Sequence, residues 1–309
     1  MVSLIIPVHN RSELLPRLFD SLRSIKDCQV EIIFVDNNSD DATCSIVQQF
    51  VDNINTTCTA STAILLHESK PGAAAARNCG LSKANGEYVY FFDSDDELSP
   101  QMLSAAQELA IQENADAVAL QVNYIDPSGN VTPRHIIRST DPRCHIVANN
   151  FATVSLFLRR TFAQEHARWN EGLFYWIDFE WALRIMLANP KTVWLPGAWH
   201  RIYQHSNSIT GNRFVDRIDE ILTAHSAIEK DIKQEIGVRG KEVRSFLRAL
   251  NSRKALYAGH VRHEANSQAA HLIYNSIDRS ICTLTDKLRL PLLYRLSAWG
   301  IRGVWRLAL

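Results

Sequence analysis

Apolar residues over the first hundred or so positions fall into two alternating rhythms. Short unbroken runs, Leu4 to Val8, Val30 to Val35, Ala63 to Leu66 and Tyr88 to Phe92, are rich in β-branched and aromatic residues and predict strands buried on both faces. Between them, apolar residues recur at helical spacing. Leu14, Leu15, Leu18, Phe19 and Leu22 follow Ser12, a residue suited to capping, and a second helix is expected from near Ala42. Lys70-Pro71-Gly72 breaks the chain before an alanine-rich helix, Ala73 to Lys83, and Pro100 sits where a first helical turn accepts proline, opening a helix to about Glu113. This alternation predicts an α/β fold, Rossmann-like, with a mostly parallel sheet flanked by helices. Ala117 to Val122 reads as a further strand, and Asp126-Pro127-Ser128-Gly129-Asn130 as the turn of a hairpin.

Beyond Ala148 the alternation weakens. An aromatic loop, Asn170 to Trp176, leads into a helix ending near Leu187; Val193 to Leu195 and Trp199 to His205 read as two strands. A long amphipathic helix from Phe214 to about Ile236 and further helices to Ser280 predict a helical C-terminal extension over 213–309. In its last part, placed on a helix, Arg295, Arg302 and Arg306 fall within ~40° of one another, with Leu293, Leu296, Ile301, Val304, Trp305 and Leu307 on the other side. With Lys287 and Arg289 ahead of it, 287–309 fits a helix lying in a membrane interface. A terminal helix docking its apolar face on the domain fits equally.

Composition narrows the partners. The 309 residues carry 33 Lys plus Arg against 33 Asp plus Glu, so no overall field points to nucleic acid. Six cysteines (Cys28, Cys44, Cys58, Cys79, Cys144, Cys282) show no metal or disulfide spacing, which predicts reduced thiols and a cytoplasmic setting. No secretory signal opens the chain, and no apolar run approaches the ~18 residues of a membrane span.

The chemistry concentrates where the Tyr88 to Phe92 run stops in Asp93-Ser94-Asp95-Asp96-Glu97. The carboxyl edge of strands is where open α/β sheets bind ligands. Asp93 and Asp95, one residue apart, share a side in an extended segment and suit a divalent cation or sugar hydroxyls; an acidic turn capping the next helix is the other reading. Neither a G-x-x-x-x-G-K-[ST] loop nor G-x-G-x-x-G is present, so any phosphates held here need a metal to take their charge.

Four stretches in order, Ser3 to Asn10, Ile33 to Thr43, Gly72 to Gly80 with Ala76-Arg77-Asn78, and Phe92 to Asp96, resemble the signatures of the family 2 glycosyltransferases of GT-A fold. The resemblance implies a GT-A domain over 1–212, its nucleotide-sugar half at 1–122 and its acceptor half at 123–212. It implies that Asp36 hydrogen-bonds the nucleotide base, that Pro7, His9, Asn10 and Asn38 line the same pocket, and that Arg77 and Asn78 border the donor. His9 stands where the family commonly has Tyr or Phe. Asp93, with Ser94 inside the D-x-D motif, would contact the donor ribose or sugar; Asp95 would ligate Mn²⁺ or Mg²⁺ on the diphosphate, with His205 completing the metal site. Asp178 matches the second acid of the family's Glu-Asp-x-Glu element, Ile177 replacing the first, and would be the base that deprotonates the acceptor; Glu180 competes for that role.

The implied activity is metal-dependent, inverting transfer from a nucleotide-sugar, UDP-sugar foremost, to a saccharide or lipid-linked saccharide. The expected setting is cell-surface polysaccharide synthesis at the inner face of the membrane, and a homodimer is left open. Two other classes compete. A sugar nucleotidyltransferase would want a glycine-rich, Lys/Arg-bearing loop after the first strand, which Pro7 to Ser12 lacks, and a non-catalytic nucleotide-sugar-binding module would need no base.

Overall fold

The computed structural model describes residues 1–134, 136–204, 217–234, 240–264 and 266–309. In chain order the first half contains β1 (Val2–Val8), α1 (Leu15–Arg23), β2 (Val30–Asp36), α2 (Thr43–Thr57), β3 (Ser61–His67), α3 (Ala73–Lys83), β4 (Tyr88–Phe91), α4 (Pro100–Gln112), β5 (Ala117–Ile125), β6 (Val131–Pro133) and α5 (Pro142–Ala148). There follow β7 (Leu156–Arg159), α6 (Arg160–His166), α7 (Ile177–Leu187), β8 (Thr192–Tyr203), α8 (Ile218–Gln234), α9 (Gly240–His263), α10 (Ser267–Asn275) and α11 (Leu284–Ala298). Two compact units result. One comprises 1–138, 151–174 and 190–206; the other comprises 139–150, 175–189 and 207–309.

The first unit is built on one sheet of order β3-β2-β1-β4-β7-β5-β6, with β8 also paired to β5. β3, β2, β1 and β4 are parallel. β7 runs against both β4 and β5, β6 runs against β5, and β8 is parallel to β5. Six strands therefore point one way and two the other, a mostly parallel α/β sheet. β1 through β4 are the apolar runs of the sequence. Edge strand β3 alternates, covering Ser61 and Ala63 and exposing Thr62 and Ile64, whereas β1, β2 and β4 are buried on both faces, with Leu4, Ile5, Ile6, Phe34, Tyr90 and Phe91 fully covered. Each such side chain contributes on the order of 1.5–3 kcal/mol of burial. α3 lies tight on this sheet because Gly80 has no Cβ, which would otherwise collide with Ile5.

Three expectations change. β7 was not foreseen, since Leu156-Phe157-Leu158 is too short to carry a period of its own. It forms because it has a neighbour on each side, with Phe157 opposite both Tyr90 and Val118 and its ring stacked on Tyr88 at 5.2 Å. The two strands expected around 193–205 are one strand, β8, whose register shifts against β5 take up Pro196 and Gly197 (φ +94°). Ser12 does not cap α1; its N–H donates to Asp41 Oδ2 at 3.3 Å, and the helix starts at Leu15 with Pro16 in the first turn.

The second unit gathers helices around α9, against which α5, α10 and α11 pack. Its core joins Phe179, Leu183, Ile228, Ile232, Leu250 and Leu293. α11 opens with a reciprocal cap between Thr283 and Asp286, and the buried Asp286 carboxylate is held by Arg248 and Arg289. The single helix expected over 287–309 is two pieces, α11 and a 3₁₀ turn, Val304–Leu307, separated at Gly300 (φ +72°). Leu293 and Val304 turn inward, while Arg295, Arg302 and Arg306 stay exposed. Leu284, Leu288, Leu292, Trp299 and Ile301 form a second apolar set facing out. Among the described residues no helix is long and apolar enough to cross a membrane.

Candidate functional site

β1, β2 and β4 deliver their carboxyl ends to one edge of the first unit. Val8 is level with Asp36 across β1 and β2, and Asp36 with His67 across β2 and β3. Asp36 is buried; its Oδ2 accepts from Ser39 N–H at 3.4 Å, whereas its Oδ1 is buried with no hydrogen-bond partner. The loops around it are cross-tied. His9 Nδ1 lies 2.8 Å from the Asn37 carbonyl oxygen, Asn10 N–H donates to Ser39 Oγ at 3.1 Å, and Asp40 N–H donates back to Asn10 Oδ1 at 3.0 Å. Asn10 and Asn38 both adopt left-handed backbone (φ 50° and 61°), which asparagine tolerates better than other side chains. Asn38 Nδ2 donates to the Ser69 carbonyl oxygen at 3.1 Å, and Pro7, half-buried in β1, sits opposite Val35.

Asn37 organises this edge, although the sequence marks it only as one of several turn-formers. Buried, it donates to the Glu68 and Lys70 carbonyl oxygens at 2.8 and 2.7 Å, and its Oδ1 accepts from Gly72 N–H at 2.7 Å. One side chain thus fixes the exit of β3 and the approach to α3.

α3 supplies Arg77 and Asn78, both buried. Arg77 Nη2 donates to Asp93 Oδ1 at 2.7 Å, and its guanidinium lies 4.3 Å from the centre of the Trp169 ring. Asn78 is fully engaged elsewhere: Nδ2 donates to the Trp169 carbonyl oxygen and to Glu171 Oε1, and Oδ1 accepts from Trp169 N–H. Its part is to hold 169–171, which Lys70 also ties through Glu171 at 2.6 Å.

In the acidic segment after β4, burial alternates. Asp93 and Asp95 are partly exposed, whereas Ser94 and Asp96 are buried. Arg11 Nη2 stands 3.7 Å from Asp95 Oδ2. Asp96 accepts from Tyr203 N–H at 2.9 Å, and Glu97 exchanges backbone bonds with Arg201, so the segment is pinned to the end of β8. Burial, reinforced by the Asp95 and Asp93 charges, raises the Asp96 carboxyl well above the usual carboxylate range. Only the length of the acid run hints at this structural acid. His200, fully buried beneath, accepts Ser99 N–H on Nδ1 at 2.9 Å, and burial pushes its pKa down to about 3.

Asp93 and Asp95 offer hard carboxylate oxygens at an accessible edge, a donor set that fits Mn²⁺ or Mg²⁺. Among the described residues no third acidic, cysteine or histidine ligand joins them within 4.8 Å. His205, the other expected ligand, lies outside the described residues.

Asp178 and Glu180 belong to the second unit, in the first turn of α7. Asp178 is half-buried, and its Oδ1 accepts from Phe179 N–H at 2.9 Å. Glu180 is buried and clamped by the Arg184 guanidinium; next to it, Asp231 is pushed up to about 7, by burial first and then by the Glu180 charge.

The chain resembles known glycosyltransferases in sequence and in fold. A glycosyltransferase of Escherichia coli K12, YibD, is 23% identical over 223 residues, 68% of this chain and 63% of that protein. GlyG of Streptococcus pneumoniae is 30% identical over 131 residues, 42% of each chain. The chain therefore spans between about two fifths and just under two thirds of these curated relatives' length. A crystal structure of Staphylococcus aureus TarS with UDP-GlcNAc superposes with a TM-score of 0.73 at 16% identity, covering 99% of this chain and 89% of that one. A mannosyltransferase from Pyrobaculum calidifontis with GDP-Man and Mn²⁺ does so at 0.56 and 17%, covering 99% of this chain and 85% of that one. These likenesses establish the GT-A fold. The model of the family described as Glycosyl transferase family 2 matches residues 3–184, well over half of the chain, and it is to this family that the chain belongs.

Proposed function

We propose that the chain moves a glycosyl unit from a nucleotide-sugar to a hydroxyl of a saccharide acceptor, inverting the anomeric carbon. The observation that carries this reading is Asp36: a carboxylate buried at the end of β2 with one oxygen lacking a donor is costly unless a ligand supplies one, and a nucleobase N–H does. TarS has been captured with UDP-GlcNAc and the mannosyltransferase with GDP-Man. Both bases carry a suitable N–H, and a UDP-sugar is the first choice.

Arg77, itself immobilised on Trp169, fixes the Asp93 carboxylate so that it meets sugar or ribose hydroxyls in one orientation. Asp95 would hold Mn²⁺ or Mg²⁺, which neutralises the charge of the departing nucleoside diphosphate. Asp178 takes the acceptor proton as the acceptor oxygen attacks the anomeric carbon. Glu180 is the poorer base because it is buried and its charge is already met by Arg184. A lipid-linked acceptor is favoured by exposed Leu288, Leu292, Trp299 and Ile301 beside Lys287, Arg295, Arg302 and Arg306, which suit an anionic headgroup surface.

Calorimetry of UDP and GDP binding, with Mn²⁺ and then with EDTA, on wild type and Asp95→Ala tests the donor site. Metal-dependent binding lost in the variant supports the reading. Failure of both nucleotides to bind would reject it in favour of a protein without donor chemistry.

A further inference from the structure

Behind the nucleobase edge, three side chains from three elements converge. Asp36 ends β2, His67 ends β3 in register with it, and Cys44 lies in the first turn of α2. One ligand atom from each falls within 4.8 Å of the other two, the only such trio among the described residues, and His67 Nδ1 is 3.5 Å from Asp36 Oδ2. A tetrahedral Zn²⁺ with bonds of about 2.0 Å to N and O and about 2.3 Å to S spaces its ligands by roughly 3.3–3.8 Å, so closure on an ion needs only small inward shifts. His67 can make that shift because its side chain is mostly exposed. Cys44 already faces the Asp36 carboxylate, its thiol pushed up to about 11 by burial and then by its hydrogen bond to Asp36, so an ion must displace that proton.

We infer that Asp36, Cys44 and His67 form a thiolate-containing site for Zn²⁺, distinct from the hard-cation site at Asp95, and that filling it weakens nucleobase binding. One sulfur, one imidazole nitrogen and one carboxylate oxygen is a borderline-soft donor set with a fourth position for water. Mn²⁺ and Mg²⁺ compete poorly for such ligands, so the cation serving the diphosphate does not fill it. Binding is an exchange without redox change: the Zn–S bond forms as the Cys44 thiol proton leaves to water. Zn²⁺ bound to Asp36 withdraws charge from its carboxylate and draws it toward His67 and Cys44, so it accepts a base N–H less well, and Zn²⁺ and nucleotide partly exclude each other. That exclusion rests on the nucleobase role of Asp36; the metal site itself does not.

Co²⁺ titrated into the full chain is the direct probe, because a Co–thiolate bond gives a near-ultraviolet charge-transfer band. Wild type should show the band, Cys44→Ser should lose it although the other five cysteines remain, and His67→Ala should weaken Co²⁺ binding by about tenfold or more. With Mn²⁺ present, Zn²⁺ should raise the Kd for UDP by about tenfold in wild type and leave it unchanged in Cys44→Ser. No band in wild type, or the same band in Cys44→Ser, would overturn the site; an equal zinc effect in both proteins would overturn the exclusion. A Cys44-dependent band in a protein that binds no UDP under any condition would uphold the metal site and count against the donor reading instead.

Discussion

Arg77 Nη2 donates to Asp93 Oδ1 across 2.7 Å, joining α3 to the acidic segment after β4. Arg77 is buried and packed over Trp169, whereas Asp93 keeps about a third of its side chain in solvent. The pair therefore acts as a positioning device: the buried partner is fixed, and the exposed one presents a carboxylate of set orientation.

Truncating Arg77 to alanine removes the guanidinium from under Trp169 and strands the Asp93 charge. Breaking a fully buried pair costs about 3–5 kcal/mol, and the exposure of Asp93 lowers the expectation to about 2–3 kcal/mol. Arg77→Lys keeps the charge but not the planar stack and should fall between. Urea unfolding midpoints for the three proteins give the order; an unchanged midpoint in Arg77→Ala would show that the contact does not hold the segment.

Much of this edge was legible in the sequence because parallel strands declare themselves as apolar runs, and the carboxyl ends of such strands are where open α/β sheets bind ligands. Asp36, Asp93 and Asp95 were readable as strand-end acids, whereas Arg77, which lies in helix α3, was marked only by the family resemblance. Asn37 was not, since its three backbone bonds join residues 31 to 35 positions away, and a turn-forming asparagine looks the same whether it ties one loop or three. Asn78 was read as bordering the donor, but its amide is spent on residues 91 and 93 positions away. β7 escaped because four residues carry no periodicity, and its place is set by Tyr88 and Val118 rather than by itself.

Asp96 gives the stability a pH dependence with a defined sign. Its folded pKa is raised by burial and by the Asp95 and Asp93 charges, so the neutral acid suits the fold. The stability it lends is fully present below the unfolded value of about 3.9 and is lost as pH rises through the folded pKa. Asp96→Asn keeps an acceptor for Tyr203 N–H and cannot ionise. Wild type and variant should be similar near pH 4, with the variant gaining as pH rises; parallel stability curves would mean that Asp96 is not titrating in the fold.

His225 has the opposite sign. It is buried among Trp176 and Tyr257 with neither ring nitrogen partnered, and burial, then the Lys254 and Arg253 charges, push its pKa down to about 3. Its contribution holds above the unfolded value of about 6.5 and is lost as pH falls toward the folded one. His225→Phe should flatten the acid limb of the stability curve over that window. At neutral pH it should also gain about 1 kcal/mol by removing two unsatisfied polar atoms. An acid limb identical to wild type would place the acid sensitivity elsewhere.

Asp178 is the residue on which catalysis and binding should separate. A general base acts only on the proton lost in the transition state, so its removal should leave the donor site intact and lower kcat by on the order of 10²–10⁴-fold. Asp178→Asn preserves an acceptor for Phe179 N–H and hence the first turn of α7, which isolates the missing charge. Glu180→Gln loosens the clamp to Arg184 and should chiefly lower the unfolding midpoint. UDP affinity measured alongside sugar transfer separates the cases: a large kcat loss at unchanged UDP affinity in Asp178→Asn assigns the base. Full turnover in that variant with collapse in a still-folded Glu180→Gln would move the proton to Glu180.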